Sequence, residues 1–298
     1  MGKTEKILRI NKRNVRISNP DKILMREKAF TKLDFIKYYQ LVRHLIIKYA
    51  KGRPTSVLRY PEGYPGESFF QRNKPTWAPA WIQSQRLGVK KQAEYILLNN
   101  MATIAWLINL ESIEFHTAQV KKPQYDRPNM MVFDLDPPLG CSFSELRDFT
   151  IAIKPLITSF GYRVFVKTSG KSGIHLYCPI KPKWNFDEVF AASYDIGVII
   201  SKRFPESTLK ISKKARKSKI LIDVYRNHSY QSMALPYGIR ATSQANVSMP
   251  LRWRDLTNVK SPTEFNIETV PKLIKGKKDP WIDIGLKPVM LHSVSKSN

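Results

Sequence analysis

An α+β fold is predicted for this chain from three observations. Between residues 128 and 225 apolar residues alternate at a strand period and recur at a helical one, in the order β-α-β-β-α-β. That is the split βαβ, ferredoxin-like unit of RRM-like modules, whose first strand lies centrally and antiparallel to the third and fourth. Upstream of residue 120 short strands mix with one amphipathic helix, an α/β module of its own. The basic stretch Lys121-Lys122-Pro123 separates the two patterns, so the expected division is 1–120 and 121–298, the second part carrying the RRM-like module and a C-terminal extension.

Residues 1–18 alternate basic and apolar (Ile7-Leu8-Arg9-Ile10, Asn14-Val15-Arg16-Ile17), which reads as paired edge strands before the turn Asn19-Pro20-Asp21-Lys22. Thr31 is placed to N-cap a helix with Asp34 at its third position. Its apolar stripe is Phe35, Tyr38, Val42, Leu45, Ile46 and Tyr49, and Gly52 and Pro54 stop it. Residues 53–82, rich in proline, glycine and aromatics, read as short strands and ordered loops, and 95–110 as a core segment. A strand over 128–136 precedes a helix over about 143–160, with Phe143, Leu146, Phe149, Ile153 and Phe160 inward and a kink expected at Pro155. Strands over 162–168 and 174–180 flank the turn Ser169-Gly170-Lys171-Ser172-Gly173. A helix capped by Asn185, with Glu188 three residues on, runs to about residue 203. A lysine-rich loop over 207–218 leads to a last strand over 219–225.

The net charge of +26, from 50 Lys+Arg against 24 Asp+Glu, points to a polyanionic partner, nucleic acid ahead of a membrane surface. With 42% hydrophobic residues the chain has material for a core, which argues against global disorder. Cys141 and Cys178 are too few for a disulfide framework or zinc module and fit a reducing, cytosolic setting. The basic N-terminus has no apolar signal core and no apolar run is long enough to span a bilayer, so no membrane association is expected.

The chemistry centres on Met130-Met131-Val132-Phe133-Asp134-Leu135-Asp136-Pro137-Pro138. Side chains alternate in a strand, so Asp134 and Asp136 share a face while Phe133 and Leu135 point to the other. Paired carboxylates suit divalent cations, although two aspartates closing a strand before a Pro-Pro turn would look the same. Asp223 lies in the otherwise apolar strand at 219–225, where a lone carboxylate is costly unless paired or metal-bound. The topology brings it and His175 towards Asp134 and Asp136. The Gly-Lys-Ser in the 169–173 turn is no P-loop, because Phe165 stands at the first glycine position and a strand follows. It reads as an ordinary hairpin turn or as a phosphate cradle of turn amides with Ser169, Lys171, Ser172 and His175. His116 alone reads as structural, and His44, His228 and His292 receive no role.

Several stretches together resemble the polymerase domain of bacterial ATP-dependent DNA ligase D and its stand-alone relatives, in the archaeo-eukaryotic primase superfamily. They are Asn19-Pro20-Asp21-Lys22, Thr31-Lys32, Arg53-Pro54, Arg59-Tyr60-Pro61, Phe69-Phe70 and Ile113-Glu114-Phe115-His116, then Phe133 to Pro137. Lys167-Thr168-Ser169-Gly170 with Gly173-Ile174-His175 follows, then Ile222 to Asn227, Pro236-Tyr237, Arg240, Pro250 to Trp253 and Asp279-Pro280-Trp281. Their order, spanning nearly the whole chain, makes the match specific. The resemblance implies a primase-polymerase fold in which Asp134, Asp136 and Asp223 bind two catalytic divalent ions, Mn²⁺ or Mg²⁺. It implies nucleotide contacts from Ser169, Ser172, His175, His116, Arg216 and Arg240, a 5′-phosphate site at Asn19, Lys22 and Lys32, and template stacking by Phe69 and Phe70 near Arg59. Two departures stand out. The family turn commonly reads Ser-Gly-Gly-Lys-Gly, whereas here Lys171 comes one place early and Ser172 takes the lysine position. Gly238 stands where serine is common.

The function so implied is a template-directed nucleotidyltransferase that prefers ribonucleotides, fills gaps and extends 3′ ends in non-homologous end joining of DNA double-strand breaks. Its partners would be 5′-phosphorylated DNA, NTP or dNTP, a Ku homologue and a separate ATP-dependent ligase, in a prokaryotic cytoplasm at the nucleoid. A primase of the same superfamily, a non-catalytic RRM-like nucleic-acid binder and a two-metal nuclease are the alternatives. An RRM would carry aromatics where this sheet face carries carboxylates.

Overall fold

The computed structural model describes residues 4–88 and 92–291, and His292 lies outside them. The chain forms two compact units, neither continuous in sequence. Residues 1–118, 232–248 and 265–277 make the first, and residues 119–231, 249–264 and 278–298 the second. Two segments downstream of the expected boundary at Lys121-Lys122-Pro123 therefore return to the N-terminal unit. Among the described residues no helix is long and apolar enough to cross a membrane.

In the first unit, Glu5–Ile10 and Arg13–Ser18 pair as an antiparallel two-stranded sheet. The helical stretch is two helices, Lys32–Leu41 and Arg43–Ala50, rather than one. Thr31 caps the first through a capping box with Asp34. The chain departs from helix only at Val42, whose N–H still reaches the Tyr38 carbonyl. The apolar stripe stays in phase across this break, with Phe35, Tyr38, Val42, Leu45 and Ile46 all buried, so periodicity cannot reveal it. Residues 95–110 resolve into the end of strand Ala93–Leu97 and helix Met101–Asn109, capped by Asn100. Strands Pro54–Arg59 and Ser112–Thr117 pair at the middle of a mixed-length sheet, with Phe69–Gln71 paired to the former.

The second unit holds a six-stranded sheet in the order Ser207–Thr208, Ile220–Asp223, Met130–Asp136, Ile174–Pro179, Phe165–Thr168 and Pro250–Leu251. The strand Met130–Asp136 is central and antiparallel to Ile174–Pro179 and Ile220–Asp223, the split βαβ order expected. Two short outer strands lengthen the sheet. Helices Phe143–Ser159 and Phe186–Arg203 both start in capping boxes, at Ser142 with Glu145 and at Asn185 with Glu188. The first continues through Pro155, on its exposed side, to end one turn later. Its buried stripe is Leu146, Phe149, Thr150, Ile153 and Ile157. Phe143 and Phe160, expected inward, are only partly buried, each at an end of the helix. A Cβ on Gly197 would meet the side chain of Val224, so the second helix lies on the sheet face that carries Ile222 and Val224. Phe133, Leu135, Ile222 and Val224 are fully buried, and the opposite face is left for the carboxylates.

Candidate active site

Register builds the site. Asp134 lies directly opposite His175 on one neighbouring strand and Asp223 on the other. His175 in turn lies opposite Lys167 on the next strand. Residues in lateral register project to the same side of a sheet. Four strands thus set Asp223, Asp134, His175 and Lys167 in one row, with Asp136 two residues along from Asp134 on the same face.

Oxygens of Asp134, Asp136 and Asp223 lie within 4.8 Å of one another. Asp134 Oδ1 is 3.1 Å from His175 Nε2. Arg226, on the single 3₁₀ turn Tyr225–Asn227, sets its Nε 3.1 Å from Asp223 Oδ2 and 3.4 Å from Asp134 Oδ2. The Tyr225 amide donates to Asp223 Oδ1 at 2.9 Å. Asn227 secures that turn: its Oδ1 accepts from the Val132 amide, and its Nδ2 donates to the Val132 and Val224 carbonyls, each at 2.8 Å.

The three carboxyls do not titrate alike. Burial pushes Asp136 up, and the charges of Asp134 and Asp223 add to this, bringing it to about 7 against the weaker pull of Arg226 and Arg216. Burial also raises Asp223, opposed by Arg226. Burial works the same way on Asp134, but His175, Arg226 and Lys167 outweigh it and hold this carboxyl low. Asp136 therefore takes up the repulsion within the trio. Three oxygen donors sharing more negative charge than one guanidinium neutralises are a donor set that fits hard divalent cations.

The turn after Lys167-Thr168 lies against the end of the central strand: a Cβ on Gly173 would fall 2.7 Å from the Leu135 carbonyl oxygen and 3.4 Å from Asp136 Oδ1. Only glycine fits there. Its amides are not all presented outward, because Lys171 and Gly173 donate to Ser169 Oγ at 3.0 and 2.9 Å. Those two bonds tie the turn to the Ser169 hydroxyl. Lys171 and Ser172 are exposed at the turn's tip, and Ser169 is buried. Arg216 ends the short helix Lys213–Arg216, close enough to act on Asp136. Beyond Pro138 a cleft of about 700 Å³ is lined by Leu139, Glu145, Asp148 and Glu206. Its acidic lining makes it a poor seat for a polyanion.

His116 and Arg240 belong to the first unit. Both bond Glu114 Oε2, at 2.8 and 3.0 Å, while the Ala241 amide donates to Oε1 at 2.9 Å. Glu114 is almost fully buried. Phe70 stands edge-on to His116, and Phe69 and Phe70 are both about half-exposed. Arg59 lies over Phe69 at 5.2 Å, but its Nε donates to the Leu110 carbonyl at 2.6 Å and its Nη2 is 3.8 Å from Glu111. Lys22 and Lys32 share that carboxylate, at 3.4 and 2.9 Å. Lys32 is buried and also donates to the Ser18 and Asn109 carbonyls, so its ammonium is turned into the protein. Lys22 remains partly open to solvent, and Asn19 is exposed with φ of 45°. Gly238 is boxed in: a Cβ there would stand 2.8 Å from the Leu235 carbonyl oxygen, so serine in this backbone would clash.

Glu111, Glu114, Lys167, Arg226 and Asn227 form these clusters without having been given a role from the sequence, although all but Glu111 lie in the stretches that carry the resemblance. Lys167 carried a signal, a lysine between Val166 and Thr168 in a strand otherwise destined for the core. Glu111 shows only through its partners, and the roles of Glu114, Arg226 and Asn227 only through theirs.

The profile of the LigD primase-polymerase domain matches residues 31–281. The chain is 33% identical over 287 residues to the bifunctional non-homologous end joining protein LigD of Bacillus subtilis, covering 93% of this chain and 46% of that one. It is 27% identical over 273 residues to the multifunctional non-homologous end joining protein LigD of Pseudomonas aeruginosa, covering 90% and 32%. The chain thus spans half or less of the length of these relatives. The polymerase domain of Mycobacterium tuberculosis ligase D, solved in complex with DNA, superposes with a TM-score of 0.83 over 90% of this chain and 96% of that one. At 24% identity that likeness establishes the fold.

Proposed function

The chain belongs to the LigD primase-polymerase domain family, and from that premise we propose that it is a template-directed nucleotidyltransferase acting on broken or gapped DNA. It extends a 3′-hydroxyl in non-homologous end joining, prefers ribonucleotides, and works with a Ku homologue and an ATP-dependent ligase at the bacterial nucleoid. The observation that carries this reading is the carboxylate trio Asp134, Asp136 and Asp223, set on one sheet face beside the His175 ring and the Ser169 turn.

Divalent ions, Mn²⁺ ahead of Mg²⁺, held by the trio would polarise the α-phosphate and lower the pKa of the attacking 3′-hydroxyl. The chain's own groups do the rest. Ser169, whose Oγ holds the turn by accepting from the Lys171 and Gly173 amides, is a phosphate contact beside the carboxylates. His175 presents Nε2 on the same face as the carboxylates. Arg216 and Lys171 supply positive charge to a triphosphate, and His116 and Arg240, held by Glu114, add sugar and phosphate contacts. Phe69 and Phe70, half-exposed, stack on template bases. Lys22, with Asn19 nearby and Lys32 beneath it, receives the 5′-phosphate.

The test is incubation of gapped, 5′-phosphorylated DNA with labelled nucleotides and Mn²⁺. Wild-type protein is expected to incorporate label and Asp134→Ala to fall to background. Strand shortening would identify a nuclease, binding without reaction an RRM-like binder, and synthesis on unprimed template a primase. Incorporation that survives Asp134→Ala would overturn the metal assignment.

A further inference from the structure

Lys167 is fully buried in the row that ends at the carboxylates. Its Nζ lies 2.8 Å from His175 Nδ1, and its ammonium lies over the Tyr177 ring, 5.8 Å from the centroid. An ammonium has donors and no lone pair, so the bond fixes Nδ1 as the acceptor. The imidazole proton is then on Nε2, the nitrogen 3.1 Å from Asp134 Oδ1. Burying a lysine is expensive, and an apolar residue would pack there at no such cost. The ladder places the lysine one strand beyond the ring that touches the carboxylates, so its charge reaches Asp134 only at a distance while its Nζ bonds the outer nitrogen of that ring. Outer partners of this kind fix tautomer and ring orientation wherever a histidine must present one chosen nitrogen.

We propose that Lys167 is a positioning residue of the candidate active site, which acts through His175 by holding it as the Nε2–H tautomer so that this N–H is the donor offered to carboxylate or phosphate oxygen. The nucleotide part of this inference rests on the polymerase reading; the tautomer part does not.

Long-range ¹H–¹⁵N correlation spectra of protein labelled at histidine read the tautomer directly. Wild type is expected to show His175 as a single Nε2–H form. Lys167→Met, similar in length but unable to donate, is expected to give a mixture of tautomers. Lys167→Gln, whose amide can still donate to Nδ1, is expected to restore the single form. In nucleotide incorporation Lys167→Met should raise KM for the nucleotide roughly ten- to hundredfold, with Lys167→Gln much closer to wild type. In a His175→Ala background Lys167→Met should add no further loss. A wild-type ring protonated at Nδ1 or at both nitrogens overturns the proposal, as does a Lys167→Met protein that keeps the pure Nε2–H form. Losses that multiply in the double variant would make Lys167 a packing residue only. Should Lys167→Met fail to fold, the wild-type tautomer and Lys167→Gln decide. Should wild type show no incorporation, the polymerase reading falls and the spectra still judge Lys167.

Discussion

Asp136 carries the strain of the carboxylate trio, and this can be read out as a pH dependence. Its folded pKa of about 7 stands above the ordinary aspartate value of 3.8. Between those limits the folded protein holds a proton that the unfolded chain has released, so folding stability falls as pH rises through the window. Asp223, raised by burial, adds in the same direction. Asp134 is held low, so its contribution has the opposite sign and is lost only at pH below the ordinary aspartate value. Thermal melts of metal-free protein are therefore expected to show Tm declining from about pH 4.5 to above pH 7. Asp136→Asn should flatten that decline and leave the variant more stable than wild type at pH 8, with the gap closing near pH 5. Mn²⁺ should raise the wild-type Tm most at the alkaline end, where no proton need be displaced, and release protons below it. A wild-type Tm that is flat across the window would show that the trio is less crowded than its geometry indicates.

Elements announced by local chemistry were legible, and elements defined by partners were not. The second long helix of the RRM-like unit was announced by Asn185 with Glu188, since a capping box needs only residues three apart, whereas the first was read from its apolar stripe and its box at Ser142 with Glu145 emerged with the structure. The break at Val42 left no trace, because the buried stripe runs through it in phase. The last strand was read as far as residue 225, but it ends at Asp223. There the ladder gives way to a 3₁₀ turn whose stability comes from Asn227, a polar side chain acting on a strand distant in sequence. That turn also aims Arg226 at the carboxylates. Asn227→Ala should leave the Val132 amide and two carbonyls short of partners, at a cost of about 2–3 kcal/mol. Chemical denaturation should show this as a lower midpoint with an unchanged m-value, and Mn²⁺ affinity should fall as Arg226 loses its seating. A variant that is destabilised yet binds Mn²⁺ as wild type would separate the turn's structural role from its place at the site.

At the scale of the whole chain, the sequence conveys charge and order but not which cations are free to act. Asp134, Asp136 and Asp223 were identifiable because carboxylates stood in apolar strands whose topology could be inferred, and the register places them within 4.8 Å. The basic residues were harder, since 50 Lys and Arg look alike in a sequence while the fold commits them differently. Lys32 is buried on two carbonyls and Glu111, Arg59 is tied to Leu110 and Glu111, and Lys22 alone of the three keeps substantial exposure. A net charge of +26 makes general attraction to phosphates inevitable, and that part of binding should weaken steeply with salt, each neutralised phosphate contributing about −0.9 to the slope of log K against log salt. A specific 5′-phosphate site must show itself above this background. Lys22→Ala is therefore expected to weaken binding to 5′-phosphorylated gaps more than to 5′-hydroxyl gaps, whereas Lys12→Ala, on the exposed turn of the N-terminal hairpin, should weaken both alike. Fluorescence anisotropy across a salt series measures both, and the difference between the two DNA ends should shrink for Lys22→Ala while it persists for Lys12→Ala. If Lys22→Ala lowers both affinities in equal proportion, Lys22 is one more backbone contact and the cluster around Glu111 is structural.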